Sequence, residues 1–173
     1  MARQRSLLRG QAVSFAPMAA PPDVALRAEL LERTQWANEF AFLEIETLAG
    51  YLESRHVKKG QVVFREGDAD GTLFIVASGK VGVVKSGARR QDHPIATIGV
   101  GHTLGEMALI DGQPRSAGAV AVEELILLAI TRASLDRLVR EHPKLAVKIL
   151  FKVARLLSQR LRQTTSSLAD RLG

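Results

Sequence analysis

The residues best suited to chemistry lie between Gly105 and Ala117, where a carboxylate and a guanidinium stand nine positions apart. Arg115 offers a planar fork of donors that matches phosphate oxygens, and Ser116 beside it adds a hydroxyl. Gly105 lets the backbone approach a ligand, and a helix that begins after it directs its first amide N–H groups at an anion. These residue types predict an anion-binding segment.

Glu106 must have a different role, because a phosphate would repel its carboxylate. A carboxylate accepts hydrogen bonds, so we expect Glu106 to accept one from a neutral hydroxyl of the same ligand, such as a ribose 2′-OH. The segment therefore predicts a site for a sugar phosphate. Taken alone, Glu106 and Arg115 are also compatible with a structural salt bridge, and both readings stay open on spacing alone.

Other chemistries find little support. The chain has no cysteine, which removes disulfides, thiol catalysis and cysteine-based zinc sites and favours a cytoplasmic location. Ser116 has no evident histidine partner for nucleophilic catalysis. The four histidines are dispersed and show no metal-ligand spacing: His56, His93, His102 and His142. We therefore expect neither a metal site nor an enzyme.

Length and composition indicate one globular domain with short extensions. The chain has 173 residues, of which 46% are hydrophobic and 24% charged. No apolar run approaches the ~18 residues that suggest a membrane span, and the N-terminus lacks the apolar core of a signal peptide. The net charge of +6 permits attraction to anions, including nucleic acid, but many soluble domains are this basic.

The N-terminal part predicts an arm followed by helices. Residues 1–22 carry scattered arginines and end in two prolines, which predicts a flexible arm. Residues 23–55 form a predicted helical segment, with Asp23 as its N-cap. Its large apolar side chains are expected to pack in a core: Trp36, Phe40, Phe42, Ile45, Leu48 and Leu52.

Residues 56–131 predict the β domain that carries the anion-binding segment. Short apolar runs alternate there with glycine-bearing turns, which is typical of an antiparallel sandwich or barrel. The runs are 61–64, 72–76, 80–84, 95–98 and 124–130. A polar stretch at 86–92 has the composition of a hairpin tip.

Residues 132–173 predict two C-terminal helices, separated near Pro143, and a short tail. In the second helix, apolar residues recur every three or four positions from Leu145 to Leu161, which predicts an apolar face. Basic residues are predicted on the other face: Lys148, Lys152, Arg155, Arg160 and Arg162. This helix either carries an ordinary solvated face or packs against the barrel or a second subunit.

Residues 105–117 resemble the phosphate-binding cassette of the cyclic nucleotide-binding domain family, and we call them the cassette. That motif reads Gly-Glu-(Leu/Met)-Ala-Leu, a short variable stretch, then Arg-(Ser/Thr/Ala)-Ala, and the chain matches every defining position. Residues 57–68 and 73–81 resemble the family's first barrel strands and its glycine-punctuated hairpin. The resemblance implies a mainly β fold, an eight-stranded antiparallel, jelly-roll-like β-roll with N-terminal helices and two C-terminal helices.

The resemblance also implies roles for individual residues. Glu106 would accept the ribose 2′-OH and Arg115 would pair with the cyclic phosphate. The remaining cassette positions of the implied site are Gly105, Met107, Ala108, Ser116 and Ala117. The base would contact residues of the last helix: Leu156, Gln159, Arg160 and Gln163. A threonine after the cassette arginine accompanies cGMP preference, so Ser116 favours cAMP over cGMP.

The implied function is regulatory, with a cyclic nucleotide as ligand and no cofactor. About a dozen residues follow Leu161, too few for a helix-turn-helix domain, so we expect a stand-alone module. Its C-terminal helices would pass ligand occupancy to a protein partner or a second copy of the chain. Two alternatives remain open: a ligand-free β-roll that serves as an interaction scaffold, and nucleic-acid binding through the basic helix.

Overall fold

The structure is a computed structural model that describes residues 24–86 and 92–172 of the chain. The predicted arm at 1–22, the N-cap Asp23 and positions 87–91 of the predicted hairpin tip lie outside these residues. The helices are α1 (Val24–Glu32), a 3-10 helix (Gln35–Glu39), α2 (Phe42–Ala49), α3 (Glu106–Asp111), α4 (Arg132–Glu141) and α5 (Pro143–Leu172). The strands are β1 (Glu53–Val57), β2 (Val62–Phe64), β3 (Leu73–Ser78), β4 (Val81–Ser86), β5 (Asp92–Ile98), β6 (Thr103–Leu104), β7 (Gly118–Ala121) and β8 (Leu125–Ile130).

The eight strands form two four-stranded antiparallel sheets, which confirms the β-roll. One sheet has the order β1-β8-β3-β6 and the other the order β2-β7-β4-β5. Side chains from both sheets fill one hydrophobic core, in which Phe74, Val81 and Leu127 are fully buried. Alternation along each strand directs one face inward, so residues far apart in sequence meet inside the roll.

Three strands, β1, β6 and β7, lie outside the apolar runs that were predicted from the sequence. Strand β1 is mostly polar, and only Val57 in it is buried. The strand begins at Glu53, inside the segment predicted as helical. Strand β6 has two residues and β7 is built of small side chains, Gly-Ala-Val-Ala. Burial of such strands depends on their neighbours rather than on their own hydrophobicity.

The N-terminal helices bury the predicted aromatic and aliphatic side chains with one exception. Trp36 and Phe40 are buried and stack with ring centroids 5.2 Å apart. The packing prediction is wrong for Phe42, which is 62% exposed. Phe42 opens α2, and a helical side chain leans over the turn that precedes it. The first residue of a helix has no such turn to cover.

The C-terminal helices form the second of two compact units, which begins at Ala133. Helix α4 ends at Glu141 and α5 begins at Pro143, where the missing N–H of proline has no helical acceptor to lose. The prediction that the basic residues lie on a solvated face is wrong for Lys152, which is only 7% exposed. Lys152 follows the buried Ile149 by three positions and adjoins the buried Val153, so its stem lies on the buried stripe. Leu161, predicted on the apolar face, is 69% exposed.

Within the described ranges, no helix combines the length and the apolar character that crossing a membrane requires. The segment boundaries placed after residues 22, 55 and 131 stay predictions.

Candidate functional site

The cassette connects β6 to β7 through the short helix α3. Gly105 stands between β6 and α3 with φ +80°, a left-handed conformation that side chains other than glycine rarely adopt. A Cβ at this position would lie 2.2 Å from Nη1 of Arg115 and 2.6 Å from the carbonyl oxygen of Thr72. Gly105 therefore allows both the turn into α3 and the close approach of the arginine.

Arg115 is the centre of the site and is only 3% exposed. Its Nη1 donates to the carbonyl oxygen of Gly105 at 2.9 Å, and its Nη2 donates to Asp70 Oδ2 at 2.9 Å and to the carbonyl oxygen of Thr72 at 2.6 Å. The guanidinium carbon lies 4.2 Å from the centroid of the Phe64 ring. Contacts from strand β2, the segment before β3 and the turn at Gly105 thus fix the position of the guanidinium.

The Nε of Arg115 has no acceptor in the described residues. This nitrogen is buried and makes no hydrogen bond within residues 24–86 and 92–172. A buried N–H without an acceptor destabilises a protein by about 1–3 kcal/mol. Burial lowers the pKa of Arg115, and the hydrogen bond and charge of Asp70 act in the opposite direction. An anion placed at Nε would satisfy the donor and stabilise the buried cation.

Glu106 is the first residue of α3 and is 3% exposed. The residue interacts with other groups of the protein, while its buried Oε2 atom accepts no hydrogen bond from the described part of the chain. The salt bridge of Arg115 is with Asp70. The carboxylate is buried in the residue that follows the turn at Gly105. This is the residue predicted from the sequence to accept a hydrogen bond from a hydroxyl of the ligand.

The other cassette residues lie around this pair. Ser116 is exposed and its Oγ contacts Met107 Sδ at 3.8 Å, while Met107 is 50% exposed. Ala108 is buried and Ala117 is half-buried. The amides of Met107 and Ala108 belong to the first turn of α3, where helical acceptors are missing. The structure thus brings the predicted cassette residues together at one place.

The four predicted base-contact residues lie on α5, in the second unit. Leu156 and Arg160 are half-buried, whereas Gln159 and Gln163 are exposed. Burial lowers the pKa of Arg160. Their contact with a nucleotide base stays a prediction.

Sequence reasoning missed Asp70, Thr72 and Phe64. Asp70 and Thr72 precede Arg115 by 45 and 43 positions, so no spacing rule connects them to the cassette. Only the strand order, in which β3 lies beside β6, brings Thr72 to the turn at Gly105. Among the residues described, no three metal-ligating side chains cluster as a metal site would require.

The chain is similar to proteins that carry cyclic nucleotide-binding domains. Residues 54–142 match the family model described as the cyclic nucleotide-binding domain. The chain is 38% identical over 120 residues to the cyclic AMP receptor protein of Thermus thermophilus, over 69% of the chain and 54% of that protein. It is 36% identical over 98 residues to a cyclic nucleotide-gated potassium channel of Rhizobium etli, over 57% of the chain and 26% of the channel. The chain therefore spans about half the length of the first of these relatives and about a quarter of the second.

Solved structures show the same architecture. A cyclic nucleotide-binding domain from Methylobacillus flagellatus matches with a TM-score of 0.74 at 28% identity, covering 86% of the chain and 83% of that structure. The catabolite activator protein of Thermus thermophilus matches with a TM-score of 0.67 at 36% identity, covering 77% and 61% respectively.

Proposed function

Because the chain belongs to the cyclic nucleotide-binding domain family, we propose that it binds a cyclic nucleotide and prefers cAMP. The observation that carries this proposal is the buried Nε of Arg115, which has no hydrogen-bond partner in the described residues while both terminal nitrogens are fixed by the protein. A guanidinium oriented in this way is prepared for an anion before the anion arrives.

The cyclic phosphate would lie between Arg115, Ser116 and the first turn of α3. Arg115 supplies the charge, the exposed Ser116 hydroxyl supplies a neutral donor, and the amides of Met107 and Ala108 supply backbone donors. A cyclic phosphodiester carries a single negative charge, so one buried cation with neutral donors around it matches the ligand's charge.

The ribose would lie against Glu106. Its buried carboxylate repels the phosphate but accepts a hydrogen bond from the 2′-OH, so the two charged residues orient the ligand in one direction. A deoxyribose analogue lacks this hydroxyl and would leave a buried acceptor without it.

Preference for cAMP is supported by Ser116, which has a hydroxyl without the methyl group of threonine. The similar protein of Thermus thermophilus is named a cyclic AMP receptor protein. Leu156, Gln159, Arg160 and Gln163 are the proposed contacts for the base.

Ligand occupancy would reach the C-terminal helices through Arg132, the first residue of α4. Its Nη1 donates to the carbonyl oxygen of Leu109 at 2.9 Å, near the C-terminal end of α3. A shift of α3 would therefore move the acceptor of Arg132 and displace the first residue of α4. The ligand must favour one position of this connection over another for a signal to result, and the recipient would be a protein partner or a second copy of the chain.

Isothermal titration calorimetry with cAMP, cGMP and linear AMP tests the proposal. We expect the wild type to bind cAMP most tightly and Arg115→Ala to bind about tenfold to hundredfold more weakly, the loss for a hydrogen bond to a charged group. Arg33→Ala is the matched control, because Arg33 is 69% exposed and pairs with Glu29 on α1. Its affinity should equal that of the wild type.

Unchanged affinity in Arg115→Ala would contradict the assignment of the site. Absence of both heat and a thermal shift with millimolar cyclic nucleotides would instead favour the ligand-free scaffold. Nucleic-acid binding predicts retardation of DNA or RNA at low salt and a steep salt dependence.

A further inference from the structure

Strand β4 carries a lysine near its C-terminal end that contacts the cassette. Val81 and Val83 of β4 pair with Ala121 and Ala119 of β7 without a register shift, and Val81 and both alanines belong to the hydrophobic core. Lys85 lies two residues beyond Val83, after an irregularity in the pairing of β4 with β5 between Val83 and Val84, and it is exposed.

The ammonium group of Lys85 has two polar partners at the edge of the site. Its Nζ donates to the carbonyl oxygen of Ser116 at 2.7 Å and forms an ion pair with Glu66, the second residue after β2. The Lys85 side chain is 51% exposed and that of Glu66 is 26% exposed. The ammonium thus joins β4, the loop after β2 and the cassette.

The loop after β2 also holds the main chain of the cassette arginine. The amide of Gly67 donates to the carbonyl oxygen of Arg115 at 2.8 Å, and the amide of Arg115 donates to the carbonyl oxygen of Asp68 at 2.9 Å. Glu66 precedes Gly67 in this loop, so its ion pair with Lys85 lies at the Arg115–Ser116 end of the cassette, where the phosphate is proposed to bind.

We propose that Lys85 is a positioning residue that sets the affinity of the site for its anionic ligand, and that Glu66 reduces this affinity. The inference rests on the proposed function of the cassette. Lys85 orients the peptide that carries the Ser116 carbonyl and adds positive potential for the phosphate. Glu66 fixes the ammonium but partly cancels its charge.

This role and that of a purely structural ion pair predict different effects on ligand affinity when Glu66 is neutralised. If the pair only stabilised the fold, neutralising either partner would weaken binding or leave it unchanged. If the charge of Lys85 attracts the ligand, neutralising Glu66 strengthens binding and steepens its dependence on salt. Glu66→Gln keeps the shape and a hydrogen-bond acceptor and removes the negative charge.

The test is calorimetry of the full chain with cAMP at two salt concentrations. Lys85→Met should bind about twofold to fivefold more weakly, and Glu66→Gln about twofold to fivefold more tightly, the range for partly exposed charges. Lys85→Arg, which keeps the charge and the donor, should bind within about twofold of the wild type. Lys80→Met is the matched control: Lys80 lies just before β4, is 56% exposed and pairs with Glu123 at 3.0 Å. It removes the same charge from the chain and should leave affinity unchanged.

The inference is overturned if Lys85→Met binds like the wild type or if Lys80→Met weakens binding equally. Weaker or unchanged binding in Glu66→Gln also overturns it, and this variant decides alone if Lys85→Met does not fold. A wild type that binds no cyclic nucleotide removes the proposed function itself. A wild type that binds, with unaffected variants, removes only the role of Lys85.

Discussion

Arg27 in the N-terminal helices and Arg115 in the cassette are both buried, at 7% and 3% exposure. Arg27 donates its Nε to the carbonyl oxygen of Ala49 at 2.9 Å. In Arg115 the terminal nitrogens, rather than Nε, donate to groups of the protein, and Nε has no hydrogen-bond partner in the described residues. The burial of an arginine therefore does not distinguish a structural role from ligand binding, whereas the direction of its donors does.

The acceptors explain the difference. Ala49 is the last residue of α2, where a carbonyl has no helical donor, and Arg27 supplies one. Arg115 donates to the carbonyl oxygens of Gly105 and Thr72, and its guanidinium carbon lies 4.2 Å from the centroid of the Phe64 ring. The first arrangement completes a helix end, and the second prepares a donor for an anion.

Gly105→Ala should have the largest effect, because the new Cβ would displace the Arg115 guanidinium. We expect more than about a hundredfold loss of cAMP affinity by calorimetry, together with about 1–2 kcal/mol of lost stability from the left-handed backbone. Gly60→Ala is the matched control, since Gly60 has φ +82° and no atom within 4 Å of an added Cβ. Similar loss of stability but unchanged affinity is expected there. Equal affinities in the two variants would contradict the proposed approach of Arg115.

Arg115→Lys keeps the charge and removes the planar fork. A lysine ammonium cannot hold the three present acceptors and also direct a donor where Nε lies, so cAMP affinity should fall about tenfold. Arg27→Lys is the companion measurement and should leave affinity unchanged. Wild-type affinity in Arg115→Lys would show that charge alone, and not donor geometry, binds the ligand.

Arg27→Met should affect stability and not binding. Methionine fills a similar volume but removes the Arg27 donor and leaves the Ala49 carbonyl only the bond from the amide of Leu52 at 3.3 Å, so the free energy of unfolding should fall by about 0.5–1.5 kcal/mol in urea titrations. The cAMP dissociation constant should not change. A variant that keeps its stability but loses affinity would place Arg27 in the ligand response and remove the contrast with Arg115.

Asp70→Asn should have the smallest effect, and its sign is informative. Asparagine can still accept from Arg115 and bond Thr72 Oγ1, which contacts Asp70 at 2.6 Å in the structure. Only the negative charge near the phosphate position is lost, so cAMP should bind up to about threefold more tightly, a small effect because Asp70 is half exposed. Weaker binding would mean that the charge of Asp70 is needed to orient Arg115.

Much of the fold and the centre of the site could be predicted from the sequence. The cassette positions are a short run in which glycine, carboxylate, guanidinium and hydroxyl each have a local chemical reason. The break between α4 and α5 follows from Pro143 in the same way. Local rules work for these features because their cause lies within a few residues.

Features that depend on distant neighbours could not be predicted. Phe42 and Lys152 have opposite exposures to those expected because helix ends and buried stripes, rather than residue type, decide contact with water. Strands β1 and β6 lack an apolar run, and β7 consists of small side chains, so none of the three was predicted from the sequence. Lys85 was not singled out, since its position beside Ser116 requires the pairing of β4 with β7.

The sequence by itself determined which residue types the cassette contains. It also determined that Gly105 can adopt a left-handed turn that other residues rarely adopt. The tertiary structure alone decided which donor of Arg115 remains available. Its Nη2 donates to Asp70 and Thr72, more than 40 positions away, and its Nη1 donates to Gly105, whereas its Nε has no hydrogen-bond partner in the described residues. Hydrogen bonds are short and directional, so the assignment of each donor depends on where distant strands place their acceptors.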